Sequence, residues 1–166
     1  MSKITGTIPE YFQDVVTFRI KHAEFKNSSA GNPMIVWELE VVAPDAYKAP
    51  DGKEYDLTTV RQPNLYIVLK SDKEDNTGKL GQVIHPRLGL PEGVDLNNPN
   101  VEQYEGIVFD ALCNAKKKIA TRLVGPKQYE EIKDANGQPR VLGMELQLDW
   151  KQNILGLSSV EVNRQF

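Results

Sequence analysis

The sequence has few cysteine and histidine residues, the types that most often form disulfides, act as nucleophiles or bind metals. It contains one cysteine, Cys113, and two histidines, His22 and His85. A single cysteine excludes an internal disulfide, and its apolar neighbours in VFDALCNA indicate a buried thiol in a reducing compartment. No cysteine or aspartate cluster joins either histidine at metal-ligand spacing. We therefore expect no bound metal and no other cofactor.

The motifs of common catalytic sites are missing as well. NTGKLG, residues 76–81, has a Gly-Lys pair but lacks the first glycine and the Ser or Thr of a phosphate-binding loop. No G-x-S-x-G occurs, and no plausible Ser-His-Asp or Cys-His set is present. Glu38 and Glu40 lie two residues apart, which is the usual spacing of carboxylates on a solvated strand face. We expect a protein that is not an enzyme.

Long apolar runs and an excess of positive charge are also missing. No stretch is long enough to span a bilayer, and MSKITGTIPEYFQD lacks the apolar core of a signal peptide. These features predict a cytoplasmic protein without membrane contact. The 20 basic and 23 acidic residues give a net charge of −3. That value argues weakly against nucleic-acid binding, because binding depends on where the charges lie.

The sequence does have apolar residues that alternate with period two, the pattern of half-buried strands. Five segments show it: residues 15–25, 34–42, 64–71, 106–115 and 142–150. Between the third and fourth segments, Leu80, Ile84 and Leu88 recur at helical spacing, together with Val83. Asn76 or Thr77 can cap the start of this helix, and Pro86 should bend or end it.

The order of these elements predicts the fold class. Three strands, a helix and two strands form the arrangement of the OB-fold, a mainly all-β, five-stranded barrel with one helix between strands 3 and 4. We expect a single domain over residues 1–166, with the barrel over about 12–162 and short flexible ends. SSAGN, residues 28–32, predicts a hairpin, whereas residues 43–64 and 116–140 are expected to be long loops. An open sandwich of similar strand content is the alternative.

Basic and tyrosine side chains on the predicted wet faces and loops form a candidate nucleic-acid site. Single strands are held by cations that track phosphates and by exposed rings on which bases stack. In an OB barrel, strands 2 and 3 and two neighbouring loops present such a surface. The predicted contacts are Arg19, Lys21, Lys26, Tyr47, Tyr55, Arg61, Tyr66, Lys70, Lys116, Lys118 and Arg122. A lysine run such as 116–118 is equally typical of a solvated strand end, and loop tyrosines often only cover a barrel end.

Trp37 has two interpretations. It shares its face with Ile35, Leu39 and Val41, which favours a core position and leaves Glu38 and Glu40 outward, where they would repel phosphates. A bulge in this strand would instead turn the indole toward a ligand. We favour the core position and assign base stacking to the tyrosines.

Several segments resemble small phage-encoded single-stranded-DNA-binding proteins. They are GNPMIVWELEVV, the helix before LGLP, VEQYEGIVFDALCNAKKK and MELQLDWKQNILGLSSVE. The resemblance covers about residues 12–162. It implies an OB-fold that coats exposed single-stranded DNA, largely independently of sequence, during phage replication or recombination in the host cytoplasm. It also implies phage or host replication and recombination proteins as further partners. The ending SSVEVNRQF departs from the acidic tail of many such proteins, which argues against recruitment by that route.

Two further classes stay open. A β-barrel module for protein assembly, or a phage accessory or structural factor, would use the wet faces with Glu38, Glu40, Glu145 and Asp149 as partner surface and would not bind DNA. An enzyme would require an active pocket that these residues do not indicate. Single-stranded DNA binding is the leading hypothesis, and it predicts strongly salt-dependent affinity.

Overall fold

The computed structural model describes residues 3–126 and 128–158. This part of the chain contains ten strands, one short helix and two 3₁₀ turns, at Leu57–Thr59 and Val101–Tyr104. The strands are β1 (Gln13–Asn27), β2 (Pro33–Ala43), β3 (Ala46–Lys48), β4 (Glu54–Asp56), β5 (Asn64–Val68), β6 (Val108–Ile119), β7 (Thr121–Gly125), β8 (Gln128–Glu131), β9 (Val141–Gln147) and β10 (Ile154–Leu157). The C-terminal sequence at 159–166, including the part of the predicted barrel beyond 158, lies outside the described residues.

A large antiparallel sheet forms the body of the molecule. Its order is β10–β6–β1–β2–β5, and β9 also pairs with β6. β9 and β10 lie one after the other along β6, pairing with its residues 114–119 and 109–111 respectively. β9 and β10 are thus two parts of one interrupted strand, separated by residues 148–153.

The alternation of the sequence sets the two faces of this sheet. Side chains at every second position are buried over residues 16–20 of β1, 35–39 of β2, 109–113 of β6, and 65–69 on and after β5. Trp37 is 0% exposed, and its ring lies 5.0 Å from Tyr104 and 6.1 Å from Phe109 between centroids. The core interpretation of Trp37 is therefore confirmed. Leu142 lies on the apolar side of the predicted strand 142–150 but is 55% exposed, and the neighbouring Val141 is 46% exposed, so the core does not cover this end of β9.

The predicted helix, α1, spans residues 77–87 between β5 and β6. Lys79–Ile84 is π-helical and His85–Arg87 is α-helical. Leu80, Ile84 and Leu88 are buried, as their spacing predicts. The expected caps are not used: Asp75 accepts hydrogen bonds from the Thr77 N–H and hydroxyl, at 2.9 and 2.5 Å.

Both predicted long loops contain strands, so those predictions were wrong in part. Residues 43–64 hold the β3–β4 hairpin and a 3₁₀ turn at Leu57–Thr59. In residues 116–140, β6 continues to Ile119, and β7 and β8 then pair as a two-stranded ribbon. The short β3 and β4 and the exposed ribbon lack the apolar alternation by which the five longer strands were found.

The mainly β architecture and the single helix after the strand formed by residues 64–68 agree with the sequence-based expectation. Closure of the sheet is not observed: across the described residues, no backbone pairing joins β5 to β9. Among those same residues, no helix is long and apolar enough to cross a membrane.

Candidate nucleic-acid interface

A groove of about 730 Å³ lies between the edge strand β5 and the β6–β9 pair. One wall is residues 61–66, which lead into and form most of β5. Asn114 and Lys116 of β6 contribute a second wall. The third consists of residues 145–150 and Asn153, at the end of β9 and in the interruption before β10. The groove therefore gathers side chains from three distant segments of sequence.

Two basic side chains line this groove. Arg61 is exposed, and its Nε lies 3.8 Å from Glu145 Oε2. Lys116 is paired in register with Glu145, yet among the described residues no carboxylate lies within 4.0 Å of its Nζ. Lys116 is thus a cation that the fold does not neutralise by direct contact.

Aromatic surface in the groove comes from one exposed ring and one largely buried ring. Tyr66 is 56% exposed on the outer face of β5, opposite Val36 of β2. Trp150 is 7% exposed, and Lys151 Nζ lies 5.9 Å from its ring centroid. Tyr66 has the free ring face that base stacking needs.

The remaining polar lining is uncharged or acidic. Its carboxamides are Gln62, Asn64, Asn114, Gln147 and Asn153, and its carboxylates are Glu145 and Asp149. Asp149 also orders the strand interruption: its Oδ1 accepts from the Lys151 N–H at 2.9 Å, and its N–H donates to Asn153 Oδ1 at 2.8 Å. With two cations and two carboxylates, the groove is formally neutral.

Three of the eleven sequence-predicted residues meet in the groove, namely Arg61, Tyr66 and Lys116. The predicted cations of β1 lie elsewhere, on the outer face of the sheet. Each pairs with a carboxylate there, and these pairs are Arg19–Glu40, Lys21–Glu38 at 3.6 Å and Lys26–Glu24 at 3.5 Å. The glutamates of β2 therefore neutralise two of the cations that were assigned to phosphate contacts.

The other predicted residues are dispersed. Arg122 lies on β7 and pairs with Glu130 of β8 at 3.5 Å. Lys118 follows Lys116 on the same face of β6, outside the groove lining. Lys70 is exposed after β5, where its backbone bridges to Asp75.

Tyr47 and Tyr55 lie opposite each other on the β3–β4 hairpin. Both are half-buried, and the Tyr47 ring packs edge-on against Phe12 with centroids 4.9 Å apart. Neither lines the groove, so their position fits the alternative role of covering one end of the sheet.

Sequence reasoning missed much of the groove lining. The period-two pattern of residues 106–115 and 142–150 places Asn114, Glu145, Gln147 and Asp149 opposite the apolar side chains, so those residues carried a usable signal. Gln62 and Asn64 carried none, because only the pairing of β5 with β2 brings them to this edge. Trp150 falls on the apolar side of the predicted strand 142–150, which favours a core position, and the structure shows that it is both buried and part of the groove wall.

The cysteine and one histidine of the described residues are buried away from the groove. Burial raises the pKa of the Cys113 thiol to about 12, so the thiol is a poor nucleophile. No group of three or more His, Cys, Asp or Glu side chains in residues 3–126 and 128–158 is placed to hold a metal ion. His85 is buried, with Nδ1 2.8 Å from Pro91 O and Nε2 2.7 Å from Tyr104 Oη.

Comparison with known proteins assigns no relative: no family model, curated protein or solved structure matches this chain.

Proposed function

We propose that the protein binds single-stranded DNA in the groove between β5 and β9, without catalysing a reaction on it. The observation that supports this most directly is the convergence of Arg61, Tyr66 and Lys116 from three distant segments. Two cations beside an exposed ring are the minimal set for phosphate contact and base stacking.

The proposed contacts divide by chemistry. The guanidinium of Arg61 and the ammonium of Lys116 contact phosphate oxygens, and a base stacks on Tyr66. The carboxamides of the lining donate to and accept from base edges. A duplex has its base faces stacked and its edges paired, so Tyr66 and the carboxamides would find few partners on it.

We also propose that the sheet is an opened OB barrel. The order β5–β2–β1–β6–β9/β10 has the strand neighbours of an OB-fold, apart from the pairing that would join its third and fifth strands. Helix α1 follows β5 and precedes β6, as that fold requires. The groove lies where the missing pairing would be, which supports an interface between those two edges.

The geometry predicts only a modest dependence on salt. Single strands release about 0.7 counterion per phosphate contact, so two phosphate contacts give a slope of log affinity against log salt of about −1.4. A surface using all the predicted cations would give a much steeper slope. Ion pairing of Arg19, Lys21 and Lys26 is the reason for expecting the smaller value.

Titration of a labelled single strand and its matching duplex tests the function. We expect Lys116→Glu to weaken single-strand binding for all sequences, and Tyr66→Ala to weaken it about tenfold, because one stacked base contributes about 1–3 kcal/mol. Lys48→Glu is the control for Lys116→Glu, because it makes the same change of charge outside the groove. Tyr11→Ala removes a ring that is 59% exposed, comparable to Tyr66, and should leave binding unchanged.

Equal affinity for single strand and duplex, or equal losses in the groove variants and their controls, contradicts the proposed function. The resemblance described above suggests the setting, which is coating of exposed single strands during phage replication or recombination. The role in that setting is part of the same proposal.

A second function, protein assembly, is favoured by a different observation. On the β7–β8 ribbon, Leu123 and Tyr129 are directly opposed and are 62% and 71% exposed. An isolated two-stranded ribbon is only marginally stable in water, and a partner covering these side chains would stabilise it. Changing both residues to serine should abolish co-purification of such a partner and leave single-strand affinity intact. Loss of DNA binding instead would place the ribbon in the DNA interface.

A further inference from the structure

The two carboxylates of the groove impose a condition on any nucleic acid that enters it. Glu145 lies beside Arg61 and is largely covered, with a side chain 21% exposed. Asp149 lines the same groove, and one of its oxygens is already engaged by the Lys151 N–H. A phosphate placed against either group would meet a like charge, and the repulsion is strongest at Glu145, which is partly desolvated, whereas Asp149 is exposed.

Base edges meet these carboxylates differently. An ionised carboxylate only accepts hydrogen bonds, so its partner must present N–H groups. Cytosine, adenine and guanine each carry an exocyclic amino group, and carboxylates accept from the amino group of cytosine in known recognition. Thymine and uracil have only the ring N–H, between two carbonyl oxygens that would face the carboxylate.

The carboxamides do not impose such a choice, because each one both donates and accepts. Asn153 is the partial exception: its Oδ1 already accepts from the Asp149 N–H, so its amino group is the part left to a ligand. The discrimination therefore depends on Glu145 and Asp149. Of these, Glu145 is the better position for a test substitution, because the Asp149 side chain also accepts a hydrogen bond from the Lys151 N–H in the interruption between β9 and β10.

We infer that the groove turns base edges toward Glu145 and the phosphates toward Lys116, and so prefers bases that carry an exocyclic amino group. This inference rests on the proposed single-strand binding and narrows its ligand. The preference adds to an affinity that is otherwise largely independent of sequence.

Oligodeoxycytidine and oligodeoxyuridine of equal length provide the test, at one fixed salt concentration. They differ in the amino group and ring N–H pattern of the base and share the same backbone. We expect the wild-type protein to bind the cytidine strand about fivefold or more tightly, the low end of discrimination by a good base contact. Glu145→Gln should bring the ratio close to one, because glutamine can also donate to the uracil carbonyl.

The variant also separates specificity from simple repulsion. If Glu145 only weakens the attraction of Arg61 for phosphate, Glu145→Gln raises the affinity for both strands equally. The ratio of the two affinities is then unchanged, which overturns the inference. Glu92→Gln, an exposed carboxylate outside the groove, is the matched control and should change neither affinity. Unchanged melting temperatures confirm that both variants are folded.

The failures of the two proposals are distinguishable. Equal binding of both strands by the wild-type protein, or tighter binding of the uridine strand, removes the preference and leaves the proposed function standing. Binding of neither strand, nor of a mixed-sequence single strand, removes both.

Discussion

His85 lies buried between a loop carbonyl and a tyrosine hydroxyl. Its two ring hydrogen bonds determine which ring nitrogen carries the hydrogen. Pro91 O can only accept, so Nδ1 carries the hydrogen, and Nε2 accepts from the Tyr104 hydroxyl. Burial lowers the pKa of His85, partly opposed by the bond to Pro91, and burial raises that of Tyr104. The neutral ring thereby ties helix α1 to the segment that leads into β6.

This pairing predicts a loss of stability in mild acid. The folded-state pKa of His85 is below the unfolded value of 6.5, so below that pH the unfolded chain binds a proton that the folded chain does not. The free energy of unfolding should therefore fall with decreasing pH, by at most about 1.4 kcal/mol per pH unit from this group.

Urea denaturation at a series of pH values from neutral down to about 5 measures this slope. His85→Gln should be less stable at neutral pH and should lose most of the slope, whereas His22→Gln, at an exposed position, should retain it. An unchanged slope in the His85 variant would contradict the assignment.

Cys113 provides a second residue-level prediction. The thiol is buried on the inner face of β6, and its pKa of about 12 keeps it protonated at neutral pH. We expect no reaction with a thiol-specific reagent in the folded protein and rapid reaction after denaturation. Stoichiometric labelling of the native protein on the timescale of the denatured control would show that this part of β6 opens.

Helix α1 packs by backbone contact at one of its glycines. A Cβ on Gly81 would lie 2.8 Å from Gly93 Cα, and the Gly93 N–H donates to Gly81 O at 3.1 Å. Gly93 itself has a φ of +101°, a conformation that favours glycine. The close approach holds the loop after the helix against it.

Two alanine substitutions in this helix should have opposite effects. Gly81→Ala should destabilise the protein by about 1–3 kcal/mol, because backbone must move to admit the methyl group. Gly78 has helical φ and ψ of −65° and −44° and nothing within 4 Å of an added Cβ. Gly78→Ala should stabilise the protein by about 0.4–1 kcal/mol, because alanine reduces the conformational entropy of the unfolded chain. Equilibrium denaturation of both variants compares them, and a Gly81 variant as stable as wild type argues against the close packing.

The elements that could be predicted from sequence are those with one dry and one wet face. β1, β2, β5 and β6 were found because one face is buried at every second residue over 16–20, 35–39, 65–69 and 109–113. β3 and β4 have three residues each, too few for a period to show, and the β7–β8 ribbon is exposed on both faces. Those elements depend on local turns and pairing, and no burial pattern marks them.

The groove was the least predictable feature, because it exists only after the sheet has formed. Alternation indicates which side of β6 or β9 Lys116 and Glu145 occupy, but not that the start of β5 lies across the groove from them. Alternation likewise does not indicate that Arg19 and Lys21 lie beside glutamates, because those partners become visible only through the pairing of β1 with β2.

Charge in the whole molecule is arranged in local pairs more than in a broad basic surface. The net charge is −3, and most of the cations assigned to binding lie beside a carboxylate. Long-range steering of DNA should therefore be weak, and recognition should depend on the short-range contacts of the groove. This is the central claim of the proposed function.

Backbone amide shifts in an NMR titration with a single-stranded oligonucleotide test that claim most directly, and an 18.7 kDa chain is well suited to the method. The largest shifts are expected at the three walls of the groove, which are residues 61–66, Asn114 with Lys116, and residues 145–150 with Asn153. Shifts confined to the outer face of β1 and β2 or to the β7–β8 ribbon, or no shifts at saturating strand, would contradict it.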